Sequence, residues 1–512
     1  MKRVFSILIS LCAIVSAYAD VEIWTKDQLE TFRDDVNNGN TYLNQTVKLM
    51  TDLDLGSGWT PIGATDNGNL FEGTFDGQGY TITYQASTPE FSSSTVLGLF
   101  GYFRGTVQHL KVRGSVTNTD ESTTNSTAGI VAYNRGTIRE CANLASIVGR
   151  RSVGGIAGVN KGIITNCYNR GYIGATGEYS GGYHLGGIAG EFEGTELSNV
   201  YACCTIEEVS STGEIVANNI SGNYSNCHYA ASGTTTLTGN ALKSYLNNSK
   251  WTFTDGELPE LTCFKNKIVR LVDNYDNTAA LSCNNGQMCT VELTNRTLYK
   301  DGKWNTLCLP FDLTLSGSVL NGDGVVAKVL NGTSTSLDDT GLLSLVFNPA
   351  PSTILAGTPF IIKWDNTGGH LTNVRFCDVT LNNAAPTAVT FDNASGASGQ
   401  FVGTYSPFSI DAGNIDKIVL LSGDNTLGYS KSNRTLRSCR AHFMIPTSSS
   451  IRAMMDFDID FDGGESTRIT NMDSTDETDG NDGWWTLTGV KLDGKPTERG
   501  IYLHNGRKEA VR

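Results

Sequence analysis

Four segments of this chain share one pattern of apolar and small residues: Val96-Leu-Gly-Leu-Phe-Gly, Thr127-Ala-Gly-Ile-Val-Ala, Val153-Gly-Gly-Ile-Ala-Gly and Leu185-Gly-Gly-Ile-Ala-Gly. They align without gaps. Each is followed by a polar turn containing Gly105, Gly136, Gly162 or Gly194, and then by a second short apolar run: Val107-Gln-His-Leu110, Ile138-Arg-Glu-Cys141, Ile164-Thr-Asn-Cys167 and Leu197-Ser-Asn-Val200. A repeat of roughly 26–32 residues with strand-like pieces and glycine corners predicts a solenoid, one turn per repeat. In a right-handed parallel β-helix equivalent side chains stack, so Leu110, Cys141, Cys167, Val200 and Cys227 should form one inward ladder. Its cysteines then act as small apolar residues. The pairs Gly154-Gly155 and Gly186-Gly187 mark corners where a Cβ would clash.

The solenoid should run over residues 20–262. At its start, Thr25 through Val36 has a capping residue, an acidic first turn and apolar positions at Leu29, Phe32 and Val36, which predicts an amphipathic helix closing one end. An open β edge without such a cover invites aggregation. The repeat stops between Trp251 and Leu261.

These segments resemble the GLUG-motif β-helix proteins of Bacteroidetes-type bacterial surfaces. The resemblance rests on Trp59-Thr-Pro-Ile-Gly63, Phe71-Glu-Gly-Thr-Phe-Asp-Gly77, the Gly-Gly-Ile-Ala-Gly coils, Ile164-Thr-Asn-Cys-Tyr168 and the closing Trp251…Pro259-Glu-Leu261. It implies a secreted or cell-surface, adhesion-like protein and supplies no catalytic residue.

Beyond residue 263 the pattern becomes irregular strands with Asn-Gly and Asp-Asn turns. Trp304 to Phe311, Ala356 to Ile362, Phe401 to Tyr405 and Arg440 to Met444 are expected as buried strands of a β-sandwich over residues 263–465. Met455 to Asp462 alternates Asp with Phe457, Ile459 and Phe461, as an edge strand with a solvated acidic face would. A calcium loop on Asp458, Asp460 and Asp462 fails at its twelfth position, where Ile469 stands instead of a bidentate Glu. Residues 466–482 are polar and acidic without an apolar period, a flexible linker. The stretch 483–512, beginning Trp484-Trp-Thr-Leu-Thr-Gly, resembles the C-terminal sorting tails of Bacteroidetes surface proteins. That resemblance implies a small β module read by type IX outer-membrane secretion machinery; the ending Glu-Ala-Val-Arg512 departs from the usual apolar-basic finish.

Export is also written at the N-terminus. Lys2-Arg3, an apolar run from Val4 to Ala17 and Ala17-Tyr18-Ala19 before Asp20 read as a signal peptide over residues 1–19. No later run reaches the roughly 20 apolar residues of a membrane-spanning helix. Loss of Lys2 and Arg3 would take the formal charge from −14 to −16. Nucleic acid is therefore an unsuitable partner, since its binding needs a basic stripe. Removing Cys12 from the twelve cysteines leaves eleven, an odd number, and Cys283 and Cys289 flank an Asn-Gly turn that could hold them as a disulfide across a hairpin.

Chemistry is sparse. The histidines at 109, 184, 228, 370, 442 and 504 lie at no metal-ligand spacing, and no cofactor motif is present. A lyase or glycoside hydrolase would need paired carboxylates on neighbouring coils, whereas the equivalent outward positions carry Arg139, Thr165 and Ser198. No catalytic residue is assigned. One longer loop, Tyr172 to His184, groups aromatic and polar residues; Tyr179 and Tyr183 could stack on sugar faces while Glu178 and His184 fix hydroxyls, or the aromatics could cover a coil corner. The leading expectation is a non-catalytic adhesin contacting a glycan or a surface protein. The alternatives are a polysaccharide-cleaving enzyme and a purely structural envelope protein.

Overall fold

The computed structural model describes residues 20–66, 70–88, 96–120, 125–177, 182–209, 211–230, 242–246, 248–265, 267–337, 342–365, 368–393, 398–422, 425, 427–430 and 432–445, together with strand backbones within 456–511. The expected signal peptide, and residues 466 and 470–482 of the expected linker, lie outside the described residues. The chain is all-β, with 7% helix, and divides into two compact units.

The first unit, residues 1–270 with 279–292 and 377–379, holds a parallel β-solenoid of about seven turns. Each turn contributes successive strands to parallel stacks. Val96–Leu97, Ser126–Ala128, Ser152–Gly154, His184–Gly186 and Thr212–Gly213 form one stack. Phe100–Phe103, Val131–Asn134, Ala157–Asn160, Ala189–Phe192 and Val216–Asn219 form the second. The rest belong to a large sheet whose first run places Val47, Phe75, Val107, Ile138, Ile164 and Leu197 in one register. All six side chains are fully buried. The expected ladder of Leu110, Cys141, Cys167 and Val200 is likewise buried, and Cys227 on the last turn is half-buried. The cysteines of this ladder are thiols.

The helix over Lys26–Asn37 closes the first turn. Thr25 caps it in a capping box with Gln28, and Leu29, Phe32 and Val36 are buried. Phe32 meets Phe71 edge-on at 5.4 Å between ring centroids, so the helix extends the core rather than merely covering it.

Two features make the corners. Immediately before each member of the ladder stands a residue in the left-handed region: His109, Glu140, Asn166, Asn199 and Asn226, all with φ between 51° and 53°. Asn tolerates that conformation better than most residues, so three successive Asn at this place have a backbone reason. The second feature is a set of buried Asn stacks. Asn134 Nδ2 donates to Asn160 Oδ1 at 2.6 Å, and Asn143 Nδ2 donates to Asn169 Oδ1 at 2.8 Å. Each of these side chains also accepts from a backbone N–H two residues on: Gly136, Gly162, Ala145 and Gly171 respectively. The paired glycines behave as expected, since a Cβ on Gly155 would run into the Asn169 side chain and one on Gly187 into the Cβ of Ala202.

After the last turn the chain folds back along the outside of the stack. Tyr201 donates to the Pro259 carbonyl at 2.6 Å, Tyr168 to Glu260 at 2.6 Å, and Tyr80 to the Ile268 carbonyl at 2.6 Å. Asp52, fully buried at its side chain, takes Lys267 Nζ at 2.9 Å and Asn284 Nδ2 at 2.8 Å. This strap therefore runs from the late turns back to the first ones, burying Tyr168 and Tyr201, which stack at 5.1 Å.

Cys283 and Cys289 do not face each other across a hairpin. Thr278–Asn284 is a helix, capped by Asp276, and Cys289 lies in the strand Met288–Lys300. Both are thiols, Cys283 beside the Thr83 hydroxyl at 3.8 Å.

The second unit is built on a sheet of mainly antiparallel strands. Asn305–Cys308 pairs with Pro359–Lys363, and Gly399–Thr404 with Arg440–Met444, as the apolar runs predict. Its core includes Leu343, Leu345, Phe401, Val419 and Phe443. Asp456–Asp460 is a strand but not an edge, because Leu342–Pro349 pairs with it on one side and Thr467–Ile469 on the other. Thr467–Ile469 thus puts a strand at the start of the expected linker. Four strands between Trp484 and Val511 form an antiparallel sheet.

Replacing Asn160 with Ala leaves the Asn134 amide and the Gly162 N–H without their buried acceptor. The expected cost is about 1–3 kcal/mol, against less than about 0.5 kcal/mol for Thr165→Ala on the outer surface. Denaturant unfolding of the two variants measures the difference.

Candidate functional site

The strap covers Tyr168 and Tyr201 on the outer side of one run of the solenoid and reaches the adjoining corner through Lys250 on Glu140 and Asn248 on Asn166. On the first run of the large sheet the outward column is Lys48, Asp76, Gln108, Arg139, Thr165, Ser198 and Ser225, one residue per turn. Gln108 Nε2 donates to Asp76 at 2.9 Å and Arg139 Nε to Gln108 at 2.8 Å, which links three turns side by side. Beside it runs the column Thr46, Thr74, Thr106 and Thr137, which continues as Ile163 and Glu196 on the later turns.

Of the loop residues singled out in the sequence, Glu178 and Tyr179 lie outside the described residues. Tyr183 and His184 are adjacent but point to different duties. Tyr183 is 7% exposed and packs into the solenoid core, its hydroxyl bonded to the Gly177 carbonyl. That orientation removes its ring from the outer surface. His184 Nδ1 lies 2.8 Å from Glu191 Oε1, which also accepts from Ser152 Oγ at 2.6 Å, with Arg151 Nε at 3.5 Å. The hydrogen bond from His184, joined by those from Ser152 and by the Arg151 charge, outweighs burial and draws the Glu191 carboxyl down to about 2.

A serine, a histidine and a carboxylate in contact invite comparison with a catalytic triad, but the order is wrong. In a triad the imidazole sits between hydroxyl and carboxylate so that it can take the hydroxyl proton. Here the carboxylate sits in the middle and Ser152 is 1% exposed. The arrangement ties the strand Ser152–Gly154 to the next turn of the neighbouring stack, and does nothing for a nucleophile.

The second cluster was not recognised in the sequence. His109 Nδ1 lies 3.0 Å from Asp76 Oδ1 and its Nε2 lies 3.6 Å from Glu140 Oε2, while Lys250 Nζ reaches Glu140 Oε1 at 3.0 Å. Hydrogen bonds to Asp76 and Glu140 push His109 up to about 9 in spite of burial. Glu140 is held below the usual carboxylate range by the His109 hydrogen bond, with Lys250 adding to it against burial. For Asp76 burial acts upward, but the bonds from His109, the Gln78 N–H and Gln108 win and lower it. Asp76 and Glu140 are two turns apart, roughly 9.6 Å at one strand spacing per turn. An inverting glycosidase would keep water and the glycosidic oxygen between such a pair. The imidazole fills that space, so the cluster is a charged clasp across three turns. The available signal was the position preceding the inward ladder, read as His, Glu, Asn, Asn, Asn.

Among the described residues no group of three or more His, Cys, Asp or Glu is placed to hold a metal ion, and no helix is long and apolar enough to cross a membrane. What the faces offer is a regular set of hydrogen-bonding side chains in fixed register.

The clasp makes stability depend on pH. His109 has a folded pKa above its ordinary 6.5, so its contribution is complete below about pH 6.5 and is lost as pH rises through about 9. Asp76 and Glu140, both lowered, contribute above their unfolded values and lose that contribution as pH falls through their folded ones. Melting temperature should decline between about pH 6.5 and 9, and His109→Gln should flatten that decline; identical pH profiles for the two proteins would count against the clasp.

Comparison with known proteins adds one partial likeness. No protein-family profile matches the chain, and no solved structure does. A stretch of 135 residues is 30% identical to part of Halomucin from Haloquadratum walsbyi, covering 23% of this chain and 1% of that protein. The shared segment spans so little of Halomucin that it identifies no family for this chain.

Proposed function

We propose that this chain is an exported, surface-displayed binding protein: an adhesin whose solenoid contacts glycans or other surface components. The observation that carries the reading is the one-sided strap. It covers one outer face, while on another a column of polar side chains, one per turn, runs from Lys48 through Asp76, Arg139 and Thr165 to Ser225, with Gln108 and Ser198 of the same column largely buried, and along it an extended ligand can lie. The partial similarity to Halomucin is compatible with a surface protein. The GLUG-type resemblance of the repeats, and the secretion-tail resemblance of residues 483–512, point the same way. In this reading residues 1–19 direct export, the second unit is a β-sandwich spacer, and the last strands are the sorting module read by the outer-membrane secretion machinery.

Glycan cleavage is disfavoured because the outward column carries a single acid, Asp76, engaged by Gln108 and His109. Protease treatment of intact cells should release solenoid peptides. The purified protein should bind at least one polysaccharide of a broad panel without generating reducing ends. New reducing ends would move the protein to the enzyme class, and absence of binding across the panel would leave the adhesin reading without support.

A further inference from the structure

The corner between the second stack and the large sheet carries a strip that none of the preceding roles uses. Tyr102 and Tyr133 occupy the same register on successive turns. Their rings are 5.5 Å apart and tilted by 46°, and both residues are half-buried while Phe103 and Asn134 beside them are fully buried. Two residues on, the chain places Arg104, Arg135 and Lys161 at the following corner of three successive turns. Arg135 lies over the Tyr133 ring at 4.9 Å and Lys161 at 5.8 Å, so cations of its own and the next turn hold that ring in place.

Charge decides what kind of partner suits this strip. Arg104 pairs with Glu72 at 3.2 Å, Arg135 holds Asp66 through two bonds of 3.1 Å, and Lys161 pairs with Glu193 at 2.8 Å. Three cations are matched by three carboxylates, on a chain whose formal charge is −14. A polyanion would find no surplus positive charge there, and its counterions would gain nothing by release. Paired guanidinium and carboxylate groups do present donors and acceptors side by side in fixed positions, which suits neighbouring hydroxyls. The tyrosine rings suit the C–H faces of pyranoses. The turns repeat at about 4.8 Å, close to the length of one sugar unit.

We propose that the Tyr102–Tyr133 strip, with its paired Arg104, Arg135 and Lys161, is a binding site for an uncharged, extended polysaccharide lying along the solenoid axis. This rests on the glycan-contacting reading above and names the site and the ligand class within it. It is tested with the full mature chain by isothermal titration with hydroxyethylcellulose, galactomannan and, as the anionic counterpart, alginate, each at low and high salt. Binding to one of the neutral polymers is expected, insensitive to salt. The double substitution Tyr102→Ala, Tyr133→Ala should weaken it about tenfold or more, and Tyr102→Phe, Tyr133→Phe should retain most of it. Arg135→Ala, at an exposed side chain, should weaken it also, so the strip is testable even if the double variant fails to melt cooperatively. Unchanged affinity in folded Tyr and Arg135 variants would overturn the strip and leave the broader reading standing. Salt-sensitive binding to alginate alone would overturn the uncharged assignment, and no binding by the unmodified chain to either neutral polymer would overturn the strip, the broader reading then standing or falling with the wider polysaccharide panel.

Discussion

Parallel, in-register stacking of turns is the constraint on which the rest depends. In such a solenoid each side chain meets its counterpart on the next turn about one strand spacing away, so a position must be filled by something that can tolerate a copy of itself. Aliphatic residues do so inside, as Val107, Ile138, Ile164 and Leu197 do. Asparagine does so at the corners because its amide is both donor and acceptor: one end bonds the next Asn while the other satisfies a backbone N–H of the turn. A buried polar group without such a partner would cost more than the bond itself is worth. The stack is therefore specified at its corners as much as in its core.

Charged residues cannot repeat in this way without repulsion, and the molecule sets opposite charges or hydrogen-bond donors against them. Asp76, His109 and Glu140 come from three successive turns, and the imidazole stands between two carboxylates. Glu191 is surrounded by His184, Ser152 and Arg151 from its own and the preceding turn. On the strip around Tyr133 each cation faces a carboxylate. These clusters convert what would be like-charge ladders into ties between turns. They also leave each acid engaged by a donor, a poor state for acid-base work and a serviceable one for holding donors and acceptors still.

The strap sets the orientation of any binding activity. Tyr168 and Tyr201 stack as a sugar platform might, yet they lie beneath Pro259 and Glu260 and serve packing. The strap also reaches the corner beside the outward column, where Lys250 pairs with Glu140 and Asn248 donates to Asn166. A tyrosine's meaning here is decided by which face it occupies: Tyr168 and Tyr201 lie beneath the strap, whereas Tyr102 and Tyr133 are half-buried beside each other on the second stack.

The local pattern of the chain was enough to specify the solenoid, the inward ladder through Leu110, Cys141, Cys167 and Val200, the glycine corners and the helix capped by Thr25. Each of these follows from periodicity or from a short motif, and a period carries inside and outside with it. The Asn stacks were also within reach, since Asn134-Arg-Gly, Asn160-Lys-Gly and Asn169-Arg-Gly repeat the same turn chemistry. Other features had no local signature: Tyr183 turned inward, Cys283 on a helix, the His109 clasp, and the choice of which face stays open. The clasp joins His109 to Asp76, 33 positions away, and the strap is tied down by Lys267 on Asp52 across 215 positions of chain. A repeat says which side chains leave the core, but only the path of the returning strap decides which of them water, or a ligand, can still touch.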